Sequence, residues 1–238
     1  HRTHMWHCRL RESIRKLGPR DVAASYALLL AAVRTAKYRK HVTDAVDYCF
    51  VDGCAEVGQP QPCLDKLTVN IGKEILGHIP GRVSVELDPA LSFDTEAIVV
   101  AARRLLALFE SEKVSRHRIL IRIPATWEGI RAAEQLEKLG IHCSMILLFN
   151  LAQAVACAEA GASLVSPAVG RILDWHAQRG SVMRPDRDPG VVSLTGMYNY
   201  YKKFGYRTEV MGSEFRSVDQ IIRLAGTDLL AIPRRFIT

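Results

Sequence analysis

The sequence RILIRIPATWEGIRAAEQLEKLGIHCSMILLF, residues 118–149, contains the pattern that decides the fold. An apolar run, RILIRI, is followed by the amphipathic helical pattern WEGIRAAEQLEKLG and by a second apolar run, IHCSMILLF. Two apolar strands joined by a helix are typical of parallel βα units in a sheet that is covered on both faces. Arg122 interrupts the first strand with a charge, which must be paired, exposed at a strand end or used in chemistry, because an unpaired buried guanidinium costs several kcal/mol.

The same alternation of strand and helix extends in both directions from this stretch. It includes RVSVEL before DTEAIVVAARRLLALFESE, ASLVSPAV before GRILDWHAQ and YRTEVMG before SVDQIIRLAG, and it closes on DLLAIP. A doubly wound sheet and a barrel both fit, but no strand is followed by the GxGxxG or GxxxxGK[ST] loop of nucleotide-binding folds. The 238 residues suit an α/β fold of the (β/α)8 TIM-barrel type, which typically has about 250. We therefore predict a barrel, in which GSVMRPDRDPG at 180–190 is a long surface loop.

The N-terminal quarter shows helical patterns more clearly than strands. Only about six strand units are visible, so an eight-stranded barrel needs two more, around Asp21 to Ser25 and in the terminal segment before them. We expect residues 1–20 to be a divergent N-terminal segment and residues 21–238 to form a single barrel. The first barrel strand and the C-terminal helix are expected to be missing or altered.

Composition and charge exclude several classes of protein. Hydrophobic residues make up 48% of the chain and charged residues 24%, which are ordinary values for a folded globular protein. No apolar run approaches the roughly 18 residues that span a membrane, and the basic N-terminus lacks the apolar core of a signal peptide, so we expect a cytoplasmic protein. The net charge of +7 comes from cations interleaved with acids, which favours a mixed solvated surface over a nucleic-acid site and also fits an anionic small substrate.

The six cysteines have no CxxC spacing, and the chain is large enough to fold without covalent cross-links. We therefore predict free thiols in a reducing compartment, with a local disulfide among Cys49, Cys54 and Cys63 as the alternative. His1, His4, His7 and Cys8 carry metal-binding side chains, but we predict no metal site.

Polar residues inside or just after apolar strands are the candidates for chemistry, because barrel enzymes place their active sites at the carboxyl ends of the strands. These residues are Glu86, Arg122, Ser166, Arg171 and Arg216. Glu86 and Arg122 are alternatively a buried ion pair, and Ser166 is alternatively a turn residue before proline. Arg171 and Arg216 lie near helix starts, where a cation is unfavourable unless it holds an anion, and they suggest a phosphate site.

Five longer strings carry a family resemblance: GRVSVELDPALSFDTEAI, ILIRIPATWEGI, GIHCSMILLFNLAQAVACAEAGASLVSPAVGRILDW, DPGVVS and YNYYKKFGYRTEVMGSEFR. Together they resemble transaldolase, the pentose phosphate pathway enzyme, from about Asp21 to the end of the chain. The resemblance implies an eight-stranded α/β barrel, usually a cytoplasmic homodimer, without a metal or organic cofactor. It also implies transfer of a dihydroxyacetone unit from a ketose phosphate such as sedoheptulose 7-phosphate to an aldose phosphate such as glyceraldehyde 3-phosphate.

The resemblance assigns roles to single positions. Glu86 matches the glutamate that handles protons, Ser166 a substrate-binding serine, and Arg171 and Arg216 the phosphate-side arginines. Arg122, however, stands where the family has the lysine that forms a Schiff base with the ketose. Arginine is a poor nucleophile for this step, because it stays protonated and its lone pair is delocalised.

Other positions also depart from the family pattern. Ser25 stands in place of the catalytic asparagine and is predicted to bind substrate. Ile146 stands in place of a threonine, Ala168 in place of an aromatic residue and Glu214 in place of a phosphate-side serine. The strand with the proton-handling aspartate is not recognisable in HRTHMWHC.

Three hypotheses follow from the retained and altered positions. The chain is an active transaldolase, or a non-catalytic relative that keeps a weak sugar-phosphate pocket, or a scaffold with a changed reaction in which Arg122 polarises a carbonyl and Glu86 is the base. We favour the second, because losses at several unconnected positions are typical of relaxed constraint.

Overall fold

The computed structural model describes residues 14, 16–51, 60–180 and 187–237. Its strands are β1 (Val22–Ala24), β2 (Val83–Glu86), β3 (Ile119–Pro124), β4 (Cys143–Ile146), β5 (Leu164–Val165), β6 (Glu209–Gly212) and β7 (Leu229–Leu230). Its α-helices are α1 (Tyr26–Val33), α2 (Arg39–Val51), α3 (Gln61–Leu76), α4 (Thr95–Ser111), α5 (Trp127–Lys138), α6 (Leu151–Glu159), α7 (Val169–Gln178), α8 (Pro189–Phe204) and α9 (Val218–Arg223). None of the helices in the described ranges is both long and apolar enough to cross a membrane.

The seven strands form one sheet in sequence order, and every neighbouring pair is parallel. This curled parallel sheet with helices between its strands is the arrangement of a (β/α)8 barrel, as predicted. The additional strand expected around Asp21 to Ser25 is β1, although the surrounding sequence has a helical pattern. The other expected strand falls in the terminal segment, most of which lies outside the described residues.

Alternating residues of the strands point to different surroundings. Val83, Val85, Ile119, Ile121 and Ile123 belong to the main hydrophobic core between the sheet and the helices. A separate small cluster consists of Leu164, Met211 and Leu229, with Ala231 packed against it. Because side chains alternate between the two faces of a strand, the residues between those of the main core, among them Glu86 and Arg122, face the barrel interior.

An arginine cluster closes the amino-terminal end of the barrel, which we call the base. Arg82 donates from Nη2 to Asp21 Oδ2 at 3.1 Å and to Glu209 Oε2 at 2.6 Å. Asp21 also accepts the Arg82 backbone N–H at 2.6 Å. Asp21 and Arg82 precede β1 and β2, whereas Glu209 begins β6, and three strands separate β2 from β6 in the sheet. The contact therefore requires the sheet to curl round on itself.

The same cluster perturbs the charge of Arg82. Burial lowers the pKa of the Arg82 guanidinium, but the carboxylates of Asp21 and Glu209 outweigh burial and raise this pKa above its ordinary value. Arg82 is therefore held as a cation at the base.

The cysteines differ from the prediction at one pair. A disulfide joins Cys49 in α2 to Cys63 in α3, so the prediction of free thiols is wrong for these two residues. The alternative of a local disulfide is correct here, because α2 and α3 pack side by side and bring the two Cα atoms to 5.7 Å. Cys143 and Cys157 are free and buried, and burial raises the pKa of both thiols. Cys8 and Cys54 lie outside the described residues, as do His1, His4, His7 and positions 181–186 of the predicted loop.

Candidate active site

The candidate site lies at the carboxyl ends of the strands, which we call the mouth of the barrel. Glu86 and Arg122 are paired residues in the register of β2 and β3, and Arg122 is next to Ser144 in β4. The register of parallel strands therefore places a carboxylate and a guanidinium side by side.

Arg122 and Glu86 form an ion pair at this mouth. Arg122 Nη1 donates to Glu86 Oε1 at 2.7 Å, while the exposed fractions of the two side chains are 16% and 21%. Glu86 Oε2 accepts the backbone N–H of Tyr26 at 3.0 Å. Tyr26 is the first residue of α1, so the carboxylate also binds a helix N-terminus, where an anion is favourable. Both oxygens of Glu86 are thus already engaged.

Arg122 stays positively charged although its side chain is largely buried. Burial lowers the pKa of its guanidinium, and the carboxylates of Glu86 and Glu214 oppose this shift. An arginine in a protein stays protonated even when its pKa is lowered, so it offers a cation and no free nitrogen lone pair. The arrangement can polarise or bind an oxygen, whereas it cannot supply the neutral amine that a Schiff base requires.

Ser25, the predicted substrate-binding residue after β1, has a structural role in this arrangement. It is buried, and its Oγ accepts the backbone N–H of Leu28 at 3.3 Å as the N-cap of α1. Serine is a favoured N-cap residue because this bond satisfies a free helix N–H. The cap orients α1 and thereby the Tyr26 N–H that binds Glu86.

Arg171 and Arg216, the predicted phosphate-side arginines, are both neutralised by carboxylates. Arg171 Nε donates to Glu214 Oε2 at 2.5 Å. Arg216 Nη2 donates to Asp174 Oδ2 at 2.6 Å, and its Nε also contacts the same carboxylate. The hydrogen bond to Asp174 raises the pKa of Arg216 above its ordinary value. An incoming phosphate would have to compete with these two carboxylates.

Glu214 interacts with all three arginines at the mouth, Arg171, Arg216 and Arg122. It pairs with Arg171, its backbone carbonyl accepts Arg216 Nη1 at 2.8 Å, and its charge acts on Arg122. Its φ of 56° is in the left-handed region, where a residue with a side chain is strained. Such strain is found most often at functional sites.

Gly170 allows the loop around Glu214 to approach α7. A Cβ at this position would lie 2.1 Å from the Glu214 carbonyl oxygen and 2.8 Å from Arg216 Cγ. Only a residue without a side chain fits, so Gly170 allows the backbone segments that carry Arg171 and Arg216 to lie next to each other.

Ser144 is an interior residue that sequence reasoning missed. It is 1% exposed, lies beside Arg122 in the register, and its Oγ has no hydrogen-bond partner among the described residues. The sequence could have indicated Ser144, because it lies two residues before Ile146 in β4, and alternate residues of a strand face the same side of the sheet. Ile146 is partly buried, and Ser166, the other predicted serine, is 4% exposed at the end of β5.

A surface cavity of about 770 Å³ borders the side of the mouth that carries Arg171. Phe149, Asn150, Arg171, Asp174 and Trp175 contribute to its lining, together with other residues of α7. Its volume is within the range of small-molecule pockets, although neither Arg122 nor Glu86 lines it.

The structure thus divides the predicted site residues into two groups. Glu86 and Arg122 are in direct contact, Arg171 and Arg216 surround Glu214, and the charge of Glu214 reaches Arg122. The segment in which the family aspartate was sought lies outside the described residues. Within the described ranges, no three His, Cys, Asp or Glu side chains are grouped to hold a metal ion.

Comparison with known proteins gives the same family throughout. The family model described as Transaldolase/Fructose-6-phosphate aldolase matches residues 9–238. The chain is 50% identical over 222 residues to a transaldolase of Edwardsiella ictaluri, covering 92% of this chain and 70% of that protein. It is 51% identical over 222 residues to a transaldolase of Saccharomyces cerevisiae, covering 92% and 66%, and 48% identical over 229 residues to one of Gloeobacter violaceus, covering 93% and 58%. The chain therefore spans about two thirds or less of the length of these relatives.

Proposed function

Because the chain belongs to the transaldolase/fructose-6-phosphate aldolase family, we propose that its barrel mouth is a transaldolase-type sugar-phosphate site that does not carry out Schiff-base transfer. The resemblance implies that the family reaction at such a site is transfer of a dihydroxyacetone unit from sedoheptulose 7-phosphate to glyceraldehyde 3-phosphate in the pentose phosphate pathway. This chain keeps the barrel and a weak affinity for the phosphorylated substrate.

The observation that carries this proposal is the Arg122–Glu86 ion pair. The position that needs a neutral amine holds a permanent cation, and the carboxylate that would move protons is bound to that cation and to the Tyr26 N–H. Covalent catalysis requires a nucleophile whose lone pair is available near neutral pH. Arg122 supplies charge and hydrogen bonds only.

Weak binding is supported by the phosphate side of the mouth. Glu214 brings a negative charge to the arginine that would hold the phosphate. Two charges about 4 Å apart at an effective dielectric of 20 repel each other by roughly 4 kcal/mol. We expect Glu214→Ser to raise the affinity for fructose 6-phosphate about tenfold or more in calorimetric titration. Glu110→Ser, near the end of α4 at the opposite side of the barrel, is the control that should leave affinity unchanged.

Borohydride trapping tests the loss of covalent chemistry. The chain is incubated with fructose 6-phosphate and borohydride, and its intact mass is measured beside the yeast transaldolase as a positive control. We expect an adduct of dihydroxyacetone mass on the control and none on this chain. A trapped adduct on this chain would overturn the proposal.

The second candidate function is active transaldolase turnover, and the identity of about 50% to transaldolases favours it. The resemblance places Glu86, Ser166, Arg171 and Arg216 at positions that the family uses. The variant Arg122→Lys separates the two candidates. We expect at most slight activity in this variant, because Ser25 and Ile146 remain; robust turnover would show that the other departures are tolerated.

The proposal includes the expected cellular setting. The barrel, residues 21–238, is a cytoplasmic homodimer that binds a sugar phosphate, with no cofactor, metal, nucleic acid or membrane partner. Size measurement by light scattering at several protein concentrations tests the dimer.

A further inference from the structure

Cys49 and Cys63 join two neighbouring helices near one end of each. Cys49 is in the last turn of α2 and is 1% exposed, whereas Cys63 is in the first turn of α3 and is partly exposed. The cysteines are 14 residues apart in sequence. The opposite end of the same helix pair is held by other contacts, since His41 bonds to Glu74 and its carbonyl accepts Asn70 Nδ2 at 3.1 Å. The disulfide therefore adds a covalent link at the other end, where Lys66 Nζ also lies 5.2 Å from the centre of the Tyr48 ring.

The first turn of α3 is in contact with the barrel mouth. Gln61, two residues before Cys63, donates from Nε2 to Asp65 Oδ1 at 2.8 Å and is hydrogen-bonded through its side chain to Tyr26. Tyr26 in turn donates its backbone N–H to Glu86, which holds Arg122. Three consecutive contacts thus lead from the cross-linked turn to the ion pair at the mouth.

We propose that Cys49 and Cys63 are a redox-controlled pair, and that their disulfide fixes the start of α3 so that Gln61, Tyr26 and Glu86 keep their positions at the mouth. When the bond is reduced, the start of α3 loses its covalent link to α2 and is held by the ion pair of Asp65 with Arg104, while the far end of the helix pair stays attached. Tyr26 and the Glu86 carboxylate then lose a fixed neighbour. Gln61 and Tyr26 are positioning residues in this arrangement, which does not depend on the proposed function.

The redox step is a thiol–disulfide exchange with a small-molecule disulfide such as oxidised glutathione. The more exposed Cys63 thiolate attacks one glutathione sulfur and releases the first glutathione thiolate. The Cys49 thiolate then attacks Cys63 Sγ and releases the second. Two protein thiols are oxidised by two electrons, one glutathione disulfide is reduced to two thiols, and the two protons pass to the released thiolates.

Redox-buffered samples of the full chain test this proposal. Free thiols are alkylated after equilibration with oxidised or reduced glutathione, and the digested protein is analysed by mass spectrometry for a peptide that links Cys49 to Cys63. We expect the link in the oxidised sample and two alkylated cysteines in the reduced one. Closure of a loop of this length should raise the unfolding midpoint of the oxidised sample by about 6 to 12 °C.

Hydrogen exchange distinguishes a positioning role from a local cross-link. Reduction should raise deuterium uptake in the peptides that contain Tyr26 and Gln61 and leave peptides from β4 and α6 unchanged. Cys63→Ser should show the reduced pattern in both buffers, and Cys54→Ser, which removes the nearest competing thiol in the sequence, should behave like the unaltered chain. The proposal is wrong if no Cys49–Cys63 link forms in oxidised glutathione, or if the link forms and uptake at Tyr26 does not change.

Discussion

Both ends of the barrel carry arginines paired with carboxylates, but the two ends use them differently. At the base, Arg82 bridges Asp21 and Glu209 and so connects strand β2 with β1 and with the distant β6. At the mouth, Arg122 pairs with Glu86 of the adjacent strand, and Arg171 and Arg216 each pair with a carboxylate of a neighbouring loop or helix. The base arginine links distant strands, whereas the mouth arginines link groups that already lie side by side.

The difference follows from burial and from what each pair is needed for. Asp21 is 5% exposed, so its charge must be compensated if the barrel is to fold, whereas the Arg171 and Glu214 side chains are about half exposed to water. The base pairs therefore stabilise the fold, as the buried Arg122–Glu86 pair does to a smaller extent, whereas the exposed pairs of Arg171 and Arg216 mainly occupy groups that a ligand could otherwise use. Four measurements test this comparison, from the largest expected effect to the smallest.

Removing the base arginine should have the largest effect on stability. Arg82→Met leaves buried Asp21 with only the Arg20 guanidinium, 4.0 Å away, as a cation, and breaking a buried pair in this way costs about 3–5 kcal/mol in the free energy of unfolding. Urea denaturation measures the loss. Arg131→Met removes an exposed arginine of α5 and is the control, whose midpoint should not change. If Arg82→Met loses no more stability than Arg131→Met, the ion pairs at the base do not stabilise the fold as stated.

Removing the mouth arginine should cost less. Arg122→Met leaves Glu86 with the Tyr26 N–H and some water, so we expect a loss of about 2–3 kcal/mol in urea denaturation. Adding Glu86→Gln should recover most of this loss, because a neutral amide can still accept the Tyr26 N–H. If the two losses simply add in the double variant, the two side chains are not energetically coupled.

Adding a methyl group at the phosphate side should disturb the loop around Glu214. Gly170→Ala places a Cβ against the Glu214 carbonyl and should destabilise the chain by about 1–2 kcal/mol in thermal unfolding. Gly196→Ala in α8 is the matched control, since a Cβ there meets no atom within 4 Å and alanine favours a helix. The control should be stabilised by about 0.4–1 kcal/mol. If both variants are more stable than the unaltered chain, the Glu214 carbonyl does not approach Gly170 closely.

A partly buried acid at the C-terminal end of α4, Glu112, should show the smallest effect. Hydrogen bonds from Lys66 and then Lys73 lower the pKa of Glu112 from 4.5 to about 2. A carboxyl whose pKa is lowered by folding stabilises the folded state above its unfolded pKa and loses this effect as pH falls. The difference in the free energy of unfolding between the chain and Glu112→Gln, measured by urea denaturation, should be less than about 1 kcal/mol. It should be constant above about pH 4.5 and disappear toward pH 2. A difference that grew on acidification would contradict the assignment.

Much of the fold could be predicted from the sequence because the relevant signals are local. The apolar runs, their spacing and the absence of a phosphate-binding loop indicated parallel βα units and a barrel. The pairing of Glu86 with Arg122 was also accessible as an alternative, because two polar residues in successive apolar strands face the same interior. β1 was harder, since three strand residues lie directly before a long helical pattern.

The contacts that could not be predicted join residues distant in sequence. Arg82 and Glu209 are 127 residues apart, and Arg171 and Glu214 are 43 apart. Cys49 and Cys63 are near in sequence, but only the packing of α2 against α3 chooses this pair from the cluster of three cysteines. The use of Ser25 as a helix cap depends on where α1 begins, which the helical pattern around it did not indicate.

The sequence by itself determined the alternation of elements, the family and the identity of the residue at the key strand position. An arginine at position 122 excludes a neutral amine whatever surrounds it, because its charge and delocalisation are properties of the side chain. Only the tertiary structure decided which charged side chains form ion pairs: Glu86 with Arg122, Arg171 with Glu214 and Arg216 with Asp174. The physical reason is that ion pairing depends on distance and burial, which the curled sheet and its packed helices create.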